Sequence, residues 1–355
     1  MDDATILEQL SNAFGPPGFE EEVRDLIAEM VRPVVDHLEL DPLGNLIAWR
    51  YGDDDATLML DAHTDEVGFM ISHIDSRGFM RLAPLGGWDA RILASHAVTI
   101  KTRAGTRYRG VIGSTPPHIL GSEERSQAHK LEDLFVDVGA RSADEVKEWG
   151  IRVGDPAVIS YPFERAAEET VIGKAFDDRA GCAVAIRVLQ ELADTKLPVT
   201  LAVNFATSEE VGLRGAQTAA YRIAPKWALA LEGTVAADVP GVAEAKQPTA
   251  LGAGPAISVA DKSVIVPRSI VQTLEELAEE ASISYQYKTP SYGSTDAGAI
   301  AQSRGGVPSG VLSVPCRYIH APLSVMRLED FEQSVRLATA FVEHGPRGAM
   351  SHERT

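Results

Sequence analysis

The sequence is poor in two features that mark common classes of protein, cysteine and positive charge. Its 355 residues include only two cysteines, Cys182 and Cys316, which are too few for a disulfide scaffold or a Cys-x-x-Cys zinc site. So few cysteines suit the reducing cytoplasm, where we expect the protein to work. The 33 Lys and Arg residues against 51 Asp and Glu residues give a formal net charge of −18. This deficit of basic residues argues against nucleic-acid partners and against docking on anionic membranes.

Long apolar runs, repeats and low-complexity blocks are also missing. No run of 18 apolar residues occurs, so we expect no membrane span. The first ten residues, MDDATILEQL, lack the basic and apolar regions of a secretory signal. The length predicts two domains, or one large domain that carries an insertion. The acidic excess is explained either by a solvated surface or, for a few of the acids, by metal binding, and only their positions can distinguish the two.

Two separate stretches, residues 1–69 and 166–355, alternate apolar strands with amphipathic helices. This alternation predicts an α/β domain with a mostly parallel central sheet flanked by helices on both faces. The tail from Glu343 to Thr355 is predicted to fray. The main predicted strands are Thr57–Leu60, Val199–Ala206, Ala228–Leu231 and Val311–Val314, and the main predicted helices are Phe19–Val31, Arg179–Ala193, Ile270–Ala281 and Leu328–Val342.

Residues 70–165 have a different pattern. Short β-like stretches such as Phe79–Leu82, Ala97–Ile100 and Tyr108–Ile112 are separated by turns rich in Gly and Pro. Strands at this spacing predict a small β-barrel or sandwich. We therefore expect residues 70–165 to form a β domain inserted into the α/β domain.

Polar residues of metal-binding type follow the ends of the predicted α/β strands. In open α/β sheets, ligands bind in the crevice beyond the carboxyl ends of the strands, so we expect these residues to converge. Any one of them alone would be read as a loop residue or a helix cap. The candidates are Asp61–Asp65 with His63, Glu209 and Glu210, Glu232, His320, and the pair Asp177 and Asp178 before a helix.

The chemistry of this set is that of a two-metal site. Two imidazoles with several carboxylates suit Zn²⁺, Co²⁺ or Mn²⁺. A carboxylate that bridges two ions would form the two-metal clamp of aminopeptidases and phosphatases. Of the adjacent Glu209 and Glu210, one can bind metal while the other stays free to move a proton, because successive side chains of an extended segment point in different directions.

Four segments in order resemble the motifs of the M42 family of metallo-aminopeptidases. The resemblance covers nearly the whole chain. The family includes glutamyl and tetrahedral aminopeptidases, and some members carry the label cellulase M or endoglucanase. The segments are Asp61–Gly68 (DAHTDEVG), Gly173–Arg179 (GKAFDDR), Thr207–Gly212 (TSEEVG) and Tyr318–Pro322 (YIHAP), supported in the inserted domain by Gly113–His118 and Phe135–Ala140.

The resemblance implies a role for each candidate. His63 and Glu232 would bind one metal ion, with Glu232 standing where the family usually has Asp. Asp177 would bridge both ions, and Glu210 with His320 would complete the second. Glu209 would be the general base and acid, and Asp65 would orient the His63 imidazole. The resemblance also implies a Zn-peptidase-like α/β/α fold and an inserted barrel that builds dimers, which assemble into a dodecamer admitting only short peptides.

Several residues and functions stay open from sequence alone. Asp178 is either a helix-terminus acid or a partner of the site, and Arg179 either pairs with Asp178 or reaches the site. Ser294–Gly298, with Asp296, is either near the substrate or a turn and helix cap. His118 is a candidate for a neighbouring subunit's site.

Among functions, a metal-dependent aminopeptidase that removes N-terminal residues leads. A related two-metal deacylase or amidohydrolase would use the same ligands. An endoglucanase ranks lower, because its two carboxylates would not need the two histidines. A binding scaffold that had lost its activity would lack a ligand, and none is missing here.

Overall fold

The computed structural model describes residues 1–167, 169–290 and 292–352. The helices of this part are α1 (Asp3–Asn12), α2 (Glu21–Val31), α3 (Ser122–Arg125), α4 (Ala143–Glu148), α5 (Phe176–Glu191), α6 (Arg214–Ile223), α7 (Arg268–Glu280), α8 (Asp296–Ala301) and α9 (Leu328–His352). Its strands are β1 (His37–Leu40), β2 (Leu46–Arg50), β3 (Thr57–His63), β4 (Gly68–Ile74), β5 (Met80–Leu85), β6 (Ala97–Lys101), β7 (Arg107–Gly113), β8 (Phe135–Asp137), β9 (Pro156–Ile159), β10 (Glu164–Ala167), β11 (Thr170–Gly173), β12 (Thr200–Ala206), β13 (Trp227–Ala236), β14 (Ala256–Ser258), β15 (Gln286–Lys288), β16 (Ser309–Arg317) and β17 (Ser324–Arg327).

The centre of the main sheet is parallel, as predicted. The described strands follow the order β1-β2-β12-β3-β13-β16-β17-β11-β10, with β14 and β15 attached beside β16. Strands β12, β3, β13 and β16 pair in parallel. Every residue of β12 is buried, as expected for a strand covered on both faces.

Antiparallel strands extend the sheet at both sides, which the sequence did not predict. β1 and β2 form a hairpin at one edge, and β10, β11 and β17 lie at the other. The first hairpin depends on Asp41, whose Oδ1 accepts N–H bonds from Leu43, Gly44 and Asn45 at 2.8 to 3.0 Å. Such local turns join strands without a crossover helix, so these strands pair in the antiparallel direction.

Helices cover both faces, which confirms the α/β/α prediction. α5 packs against β3 and β13 on one face, with α1, α2 and α9 against it. α6 and α8 pack together on the other face, against β3 among other strands. Each face has its own apolar core, the larger around α5 and the smaller around the alanines of α6.

The remaining described strands close a barrel in the order β4-β5-β8-β7-β6-β9. It is built from the chain between β3 and β10 and has a separate apolar core that includes Phe69, Val98 and Ile112. The structure therefore contains the small barrel expected from residues 70–165. The division into domains 1–69 with 166–355 and 70–165, and the role of the barrel in dimerisation, stay predictions.

Two predicted helix boundaries are wrong. α5 begins at Phe176 instead of Arg179, so Asp177 and Asp178 lie in its first turn, although their backbone angles are not helical. α9 continues to His352, so the predicted fraying from Glu343 is wrong up to that residue. Residues 353–355 of the same prediction lie outside the described part. None of the helices in the described part is long and apolar enough to cross a membrane.

Candidate metal centre

The polar ends of three neighbouring strands meet at one edge of the sheet. His63 ends β3 and lies opposite Ala206, the last residue of β12, so Glu209 and Glu210 follow at the same edge. The register of β13 against β3 places Glu232 level with His63. Parallel pairing thus brings together residues that are far apart in the chain.

Asp177 reaches this edge from the start of α5, and a glycine makes its approach possible. A Cβ atom on Gly233 would lie 2.7 Å from the Phe176 carbonyl oxygen and 2.9 Å from the Asp177 Cα. Real Cβ atoms do not make contacts this short. Gly233 therefore lets the Asp177 backbone lie directly against β13.

The Asp177 carboxylate lies between two imidazoles. Its Oδ1 is 3.2 Å from His63 Nε2, and its Oδ2 is 3.3 Å from His320 Nε2. Glu210 Oε1 lies 3.2 Å from the same His320 nitrogen. On the other side, His63 Nε2 is 3.8 Å from Glu209 Oε2 and 3.9 Å from Glu232 Oε2. Hence the five predicted site residues other than Asp65 and Asp177 fall into two groups on either side of Asp177.

Backbone carbonyls contact the second nitrogen of each imidazole. His63 Nδ1 lies 3.1 Å from the Asp65 carbonyl oxygen, and His320 Nδ1 lies 3.1 Å from the Gly87 carbonyl oxygen. Gly87 follows β5, so the barrel segment helps to orient a residue of the α/β domain. A carbonyl at Nδ1 fixes the tautomer that leaves Nε2 free as a ligand.

Asp65 contacts more than the imidazole that the sequence assigned to it. Its Oδ1 is 3.5 Å from His63 Nδ1, and its two oxygens accept the backbone N–H groups of Glu209 and Glu210 at 2.9 and 3.0 Å. The side chain is fully buried. Asp65 therefore positions the backbone that carries both glutamates as well as the ring of His63.

The pKa values show how crowded with acids this centre is. Burial and then the neighbouring carboxylates raise the pKa of Glu209 to about 8, against the favourable charge of His63. Burial also raises the pKa of Glu232 well above its usual range. Burial would lower the pKa of His320, but its contacts with Asp177 and Glu210 outweigh it and raise the pKa to about 11. Contacts with both imidazoles lower the pKa of Asp177 despite its burial.

These residues fit divalent ions by their chemistry and by their unsatisfied contacts. Glu210 Oε1 is buried and has no hydrogen bond in the described part of the chain, although His320 lies close to it. No Lys or Arg among the described residues forms an ion pair with Asp177, Glu209, Glu210 or Glu232. Ligand atoms of His63, Asp177 and Glu210 lie within 4.8 Å of one another. Facing carboxylates and imidazoles without cationic partners form a suitable N/O ligand set.

Asp178 combines the two alternatives left open, since it lies at the start of α5 and also contacts the site residue His63. Its Oδ2 accepts the His63 backbone N–H at 3.1 Å, and its Oδ1 accepts the Gly181 N–H at 2.9 Å. His63, Asp178 and Glu232 also place ligand atoms within 4.8 Å of one another. Because both Asp178 oxygens already accept backbone hydrogen bonds, we interpret the residue as one that ties β3 to the first turn of α5.

Arg179 takes neither of the roles considered for it. It is fully buried and donates to the Leu10 carbonyl at 2.6 Å, and its Nη2 lies 3.4 Å from Glu66 Oε1. Lys174 Nζ contacts the two Glu66 oxygens at 2.6 and 2.7 Å. We call Glu66, Lys174 and Arg179 the ion cluster. We did not predict this cluster from the sequence, because Glu66 is more than 100 residues away from Lys174 and Arg179.

The other open residues are now placed. Asp296 begins α8, is buried, and donates its backbone N–H to Glu232 Oε1 at 3.4 Å, so it lies beside the centre. His118 lies in an exposed segment of the barrel part and does not join the centre. Both cysteines are free and buried. Cys182 Sγ lies 3.1 Å from the His63 carbonyl, a contact that the sequence did not predict.

The centre opens into a cavity of about 600 Å³. One wall carries the predicted ligands. The rest of the lining is mixed apolar and polar, and includes Gly212, Leu213, Gly233, Thr234, Val235, Lys288, Tyr292, Gly293, Ser294, Thr295 and Ile319. The cavity has room for a few residues of a peptide beside the centre.

The sequence profile described as M42 glutamyl aminopeptidase matches residues 44–337. The chain belongs to the M42 peptidase family. FrvX of Escherichia coli strain K12 is 36% identical to this M42 peptidase over 95% of the chain and 94% of its own length. A lysyl aminopeptidase of Pyrococcus furiosus is 32% identical over 97% of each protein. A glutamyl aminopeptidase of Lactococcus lactis is 33% identical over 92% of the chain and 91% of its own length.

Solved structures agree with this assignment. A TET aminopeptidase from the marine sediment archaeon Thaumarchaeota archaeon SCGC AB-539-E09 matches with a TM-score of 0.95 and 36% identity, over 98% of each chain. The Pyrococcus horikoshii TET1 peptidase matches with a TM-score of 0.86 and 30% identity, over 97% of this chain and 100% of its own. A Thermotoga maritima protein described as an endoglucanase matches with a TM-score of 0.80 and 35% identity, over 97% and 98%. This M42 peptidase is accordingly a hydrolase of the aminopeptidase type.

Proposed function

We propose that the enzyme removes N-terminal residues from short peptides with the help of two divalent metal ions, Zn²⁺ or Co²⁺ or else Mn²⁺. The observation that carries the proposal is the position of the Asp177 carboxylate, with one oxygen 3.2 Å from His63 and the other 3.3 Å from His320. A carboxylate shared in this way suits two neighbouring ions. His63 and Glu232 would hold one ion with Asp177, and Glu210 and His320 would hold the other.

The residues then divide the work between binding and proton transfer. When bound, the two ions would polarise the scissile carbonyl and lower the pKa of the attacking water. Glu209 takes the proton of the water and passes it to the leaving amine. Its elevated pKa, about 8 without metal, reflects an acid surrounded by other acids, and bound cations would lower it towards the range of a general base. The Asp65 carboxylate holds Glu209 in place by accepting the backbone N–H of Glu209.

A panel of amino-acid p-nitroanilides tests this proposal. We expect hydrolysis that chelation abolishes and that Zn²⁺, Co²⁺ or Mn²⁺ restores. The N-acetylated form of each substrate should not be cleaved. Activity that is indifferent to the chelator would contradict the metal mechanism, and cleavage of the acetylated substrates would favour a deacylase or amidohydrolase of the same scaffold. Release of reducing sugar from a β-glucan by the chelated protein would instead revive the endoglucanase hypothesis.

We further propose that the barrel forms dimers and that the dimers assemble into a dodecamer. The Pyrococcus horikoshii TET1 peptidase, which this chain resembles over its whole length, can assemble into a tetrahedron or a large octahedral shell. A closed shell would limit substrates to short peptides. Light scattering on the purified protein tests the assembly, and a monomer at micromolar concentration would contradict it. The two buried free cysteines suit a cytoplasmic location.

A further inference from the structure

Lys288 brings a buried positive charge to the wall of the cavity. It is the last residue of β15, and its side chain is among those that line the cavity beside the centre. The residue is only 5% exposed. Its backbone is fixed, because Lys288 pairs with Ser258 of β14, and β14 in turn pairs with β16.

The ammonium group of Lys288 has no hydrogen bond or ion pair within residues 1–167, 169–290 and 292–352. The contrast with Lys174 is direct, since that buried lysine contacts both oxygens of Glu66 at 2.6 and 2.7 Å. The side chain reaches the open cavity, where the ammonium has no counter-ion among the described residues. A positive charge that a fixed strand holds at the wall of this cavity indicates that its anion belongs to the ligand.

We infer that Lys288 binds the side-chain carboxylate of the N-terminal residue of the substrate, so that the enzyme selects peptides that begin with Glu or Asp. The inference rests on the proposed function, because it takes the cavity beside the metal ligands as the place of that residue. The other walls support a polar side chain here. Tyr292 and Ser294 line the same cavity and carry hydroxyl groups that can donate to a second carboxylate oxygen.

Selectivity for an acid also follows from charge repulsion. A lysine or arginine side chain in this cavity would meet the Lys288 ammonium, which forms no ion pair with an acid of the described residues. A neutral glutamine would leave the ammonium without an anionic partner. The relatives include both a lysyl and a glutamyl aminopeptidase, and Lys288 favours the second kind of substrate for this chain.

The experiment compares Glu-, Gln-, Ala- and Lys-p-nitroanilide with the metal-loaded enzyme. We expect kcat/KM for the Glu substrate to exceed that for the Gln substrate by about tenfold to a hundredfold. Lys288→Met should remove this preference, chiefly by raising KM for the Glu substrate. Lys288→Arg should keep the preference, and Lys288→Glu should transfer it to the Lys substrate. A preference that survives in Lys288→Met would overturn the inference.

Lys262→Met is the matched control. Lys262 is exposed, and its backbone N–H donates to the carbonyl of Gly293, a lining residue of the cavity, at 2.9 Å. It therefore lies close to the cavity, but its side chain is not among those that line it. This variant should keep the preference for Glu. Loss of the preference in both variants would show a general effect of net charge and would overturn the specific role of Lys288.

Thermal unfolding gives a readout that does not depend on turnover. Glutamate should raise the Tm of the wild type more than glutamine does, and this difference should vanish in Lys288→Met.

Two further measurements distinguish this inference from a failure of the proposed function and from binding of the peptide C-terminus. If the wild type cleaves none of the four anilides, the proposed function fails, and the glutamate-against-glutamine difference in Tm still tests Lys288. The free C-terminus of a short peptide is a second source of carboxylate. Hydrolysis of Ala-Ala is therefore compared with that of Ala-Ala amide. If Lys288→Met slows only the free acid, Lys288 binds the C-terminus and the inference is wrong.

Discussion

The ion cluster and the metal centre contain buried carboxylates from the same short segment of chain, and they differ in what balances the charge. Glu66, one residue after Asp65, is paired with Lys174 at 2.6 Å and with Arg179 at 3.4 Å. In the metal centre, the only basic side chains that pair with Asp177 and Glu210 in the described part of the chain are those of His63 and His320. The first group is complete within the polypeptide, whereas the second is short of positive charge.

This difference separates a structural use of buried charge from a functional one. In the ion cluster, the guanidinium and ammonium groups also donate to backbone carbonyls of the segment 10–15, so the cluster fastens the N-terminal segment to α5. In the metal centre, burial raises the pKa values of Glu209 and Glu232, and the neighbouring acids raise them further. The ion cluster therefore uses buried charge to hold the fold, whereas the acids of the centre are left able to bind cations.

The largest effect is expected from Glu209→Gln, which removes the acid assigned to proton transfer and keeps the shape of the side chain. We expect kcat to fall by about 10²- to 10⁴-fold while two metal ions per chain remain bound. The measurement is hydrolysis of amino-acid p-nitroanilides together with metal analysis. Glu210→Gln is the matched control, since it should lose metal as well as activity. Glu209→Gln with nearly full activity would contradict the assignment.

In the ion cluster, Glu66→Gln should make the protein less stable without changing any of the proposed metal ligands. It leaves Lys174 and Arg179 buried without their acid, so we expect the free energy of unfolding to fall by about 3–5 kcal/mol. Urea denaturation of the metal-free protein measures the change. The double variant Glu66→Gln with Lys174→Met should recover part of the loss.

A surface ion pair provides the control for that experiment. Asp53 lies 2.7 Å from Lys196, but both side chains are more than half exposed. Asp53→Asn should therefore change the free energy of unfolding by less than about 1 kcal/mol. If Glu66→Gln has an effect as small as Asp53→Asn, the ion cluster does not fasten the fold and the comparison fails.

The metal centre was more predictable from sequence than the ion cluster, and the reason is topological. His63 ends β3 and Glu210 follows β12, whereas Glu232 lies inside β13 directly after the apolar run Ala228–Leu231. Parallel pairing brings these positions together whatever the details of packing. Glu66, Lys174 and Arg179 meet through loop and helix contacts over more than 100 residues, and no periodicity encodes them. The contact of His320 with the Gly87 carbonyl was hidden for the same reason, since it joins the barrel segment to the α/β domain.

The strands of the α/β part that the sequence did not predict include very short ones. The central strands and their helices were predicted because long apolar runs and amphipathic periodicity mark them. β14 and β15, with three residues each, are too short to leave such a pattern, and β15 carries Lys288. The residue that we assign to specificity was thus missed together with its strand.

Asp65→Asn tests how far the centre depends on positioning as opposed to ligands. An asparagine keeps one acceptor oxygen, so one of the two N–H bonds from Glu209 and Glu210 should be lost. We expect a fall in kcat/KM or in metal affinity of about 10- to 100-fold, smaller than the effect of Glu209→Gln. Hydrolysis assays at rising metal concentration distinguish a fall in metal affinity from a fall in kcat/KM of the metal-loaded enzyme. A variant as inactive as Glu209→Gln would give Asp65 a direct part in the reaction.

The smallest expected effect is a dependence of Tm on pH. Its sign tests the charge balance of the metal-free centre, and metal loading should oppose it. Without metal, the folded pKa of Glu209 is about 8 against an ordinary 4.5, and that of His320 is about 11 against 6.5. Both groups bind more protons in the folded state between their ordinary and their raised values. The Tm of the metal-free protein should therefore fall as the pH rises from about 5 to 8.

Metal loading should oppose this slope, because the ligands must lose protons before they bind ions. The gain in Tm on adding Zn²⁺ should consequently grow from pH 5 to pH 8. Glu232→Gln removes one acid with a raised pKa, so its metal-free Tm should fall less steeply with pH than that of the wild type, and its gain with Zn²⁺ should shrink. Glu66→Gln should leave the gain with Zn²⁺ unchanged. A metal-free Tm that rises across this pH range would mean that the centre is not short of positive charge, and the contrast with the ion cluster would be lost.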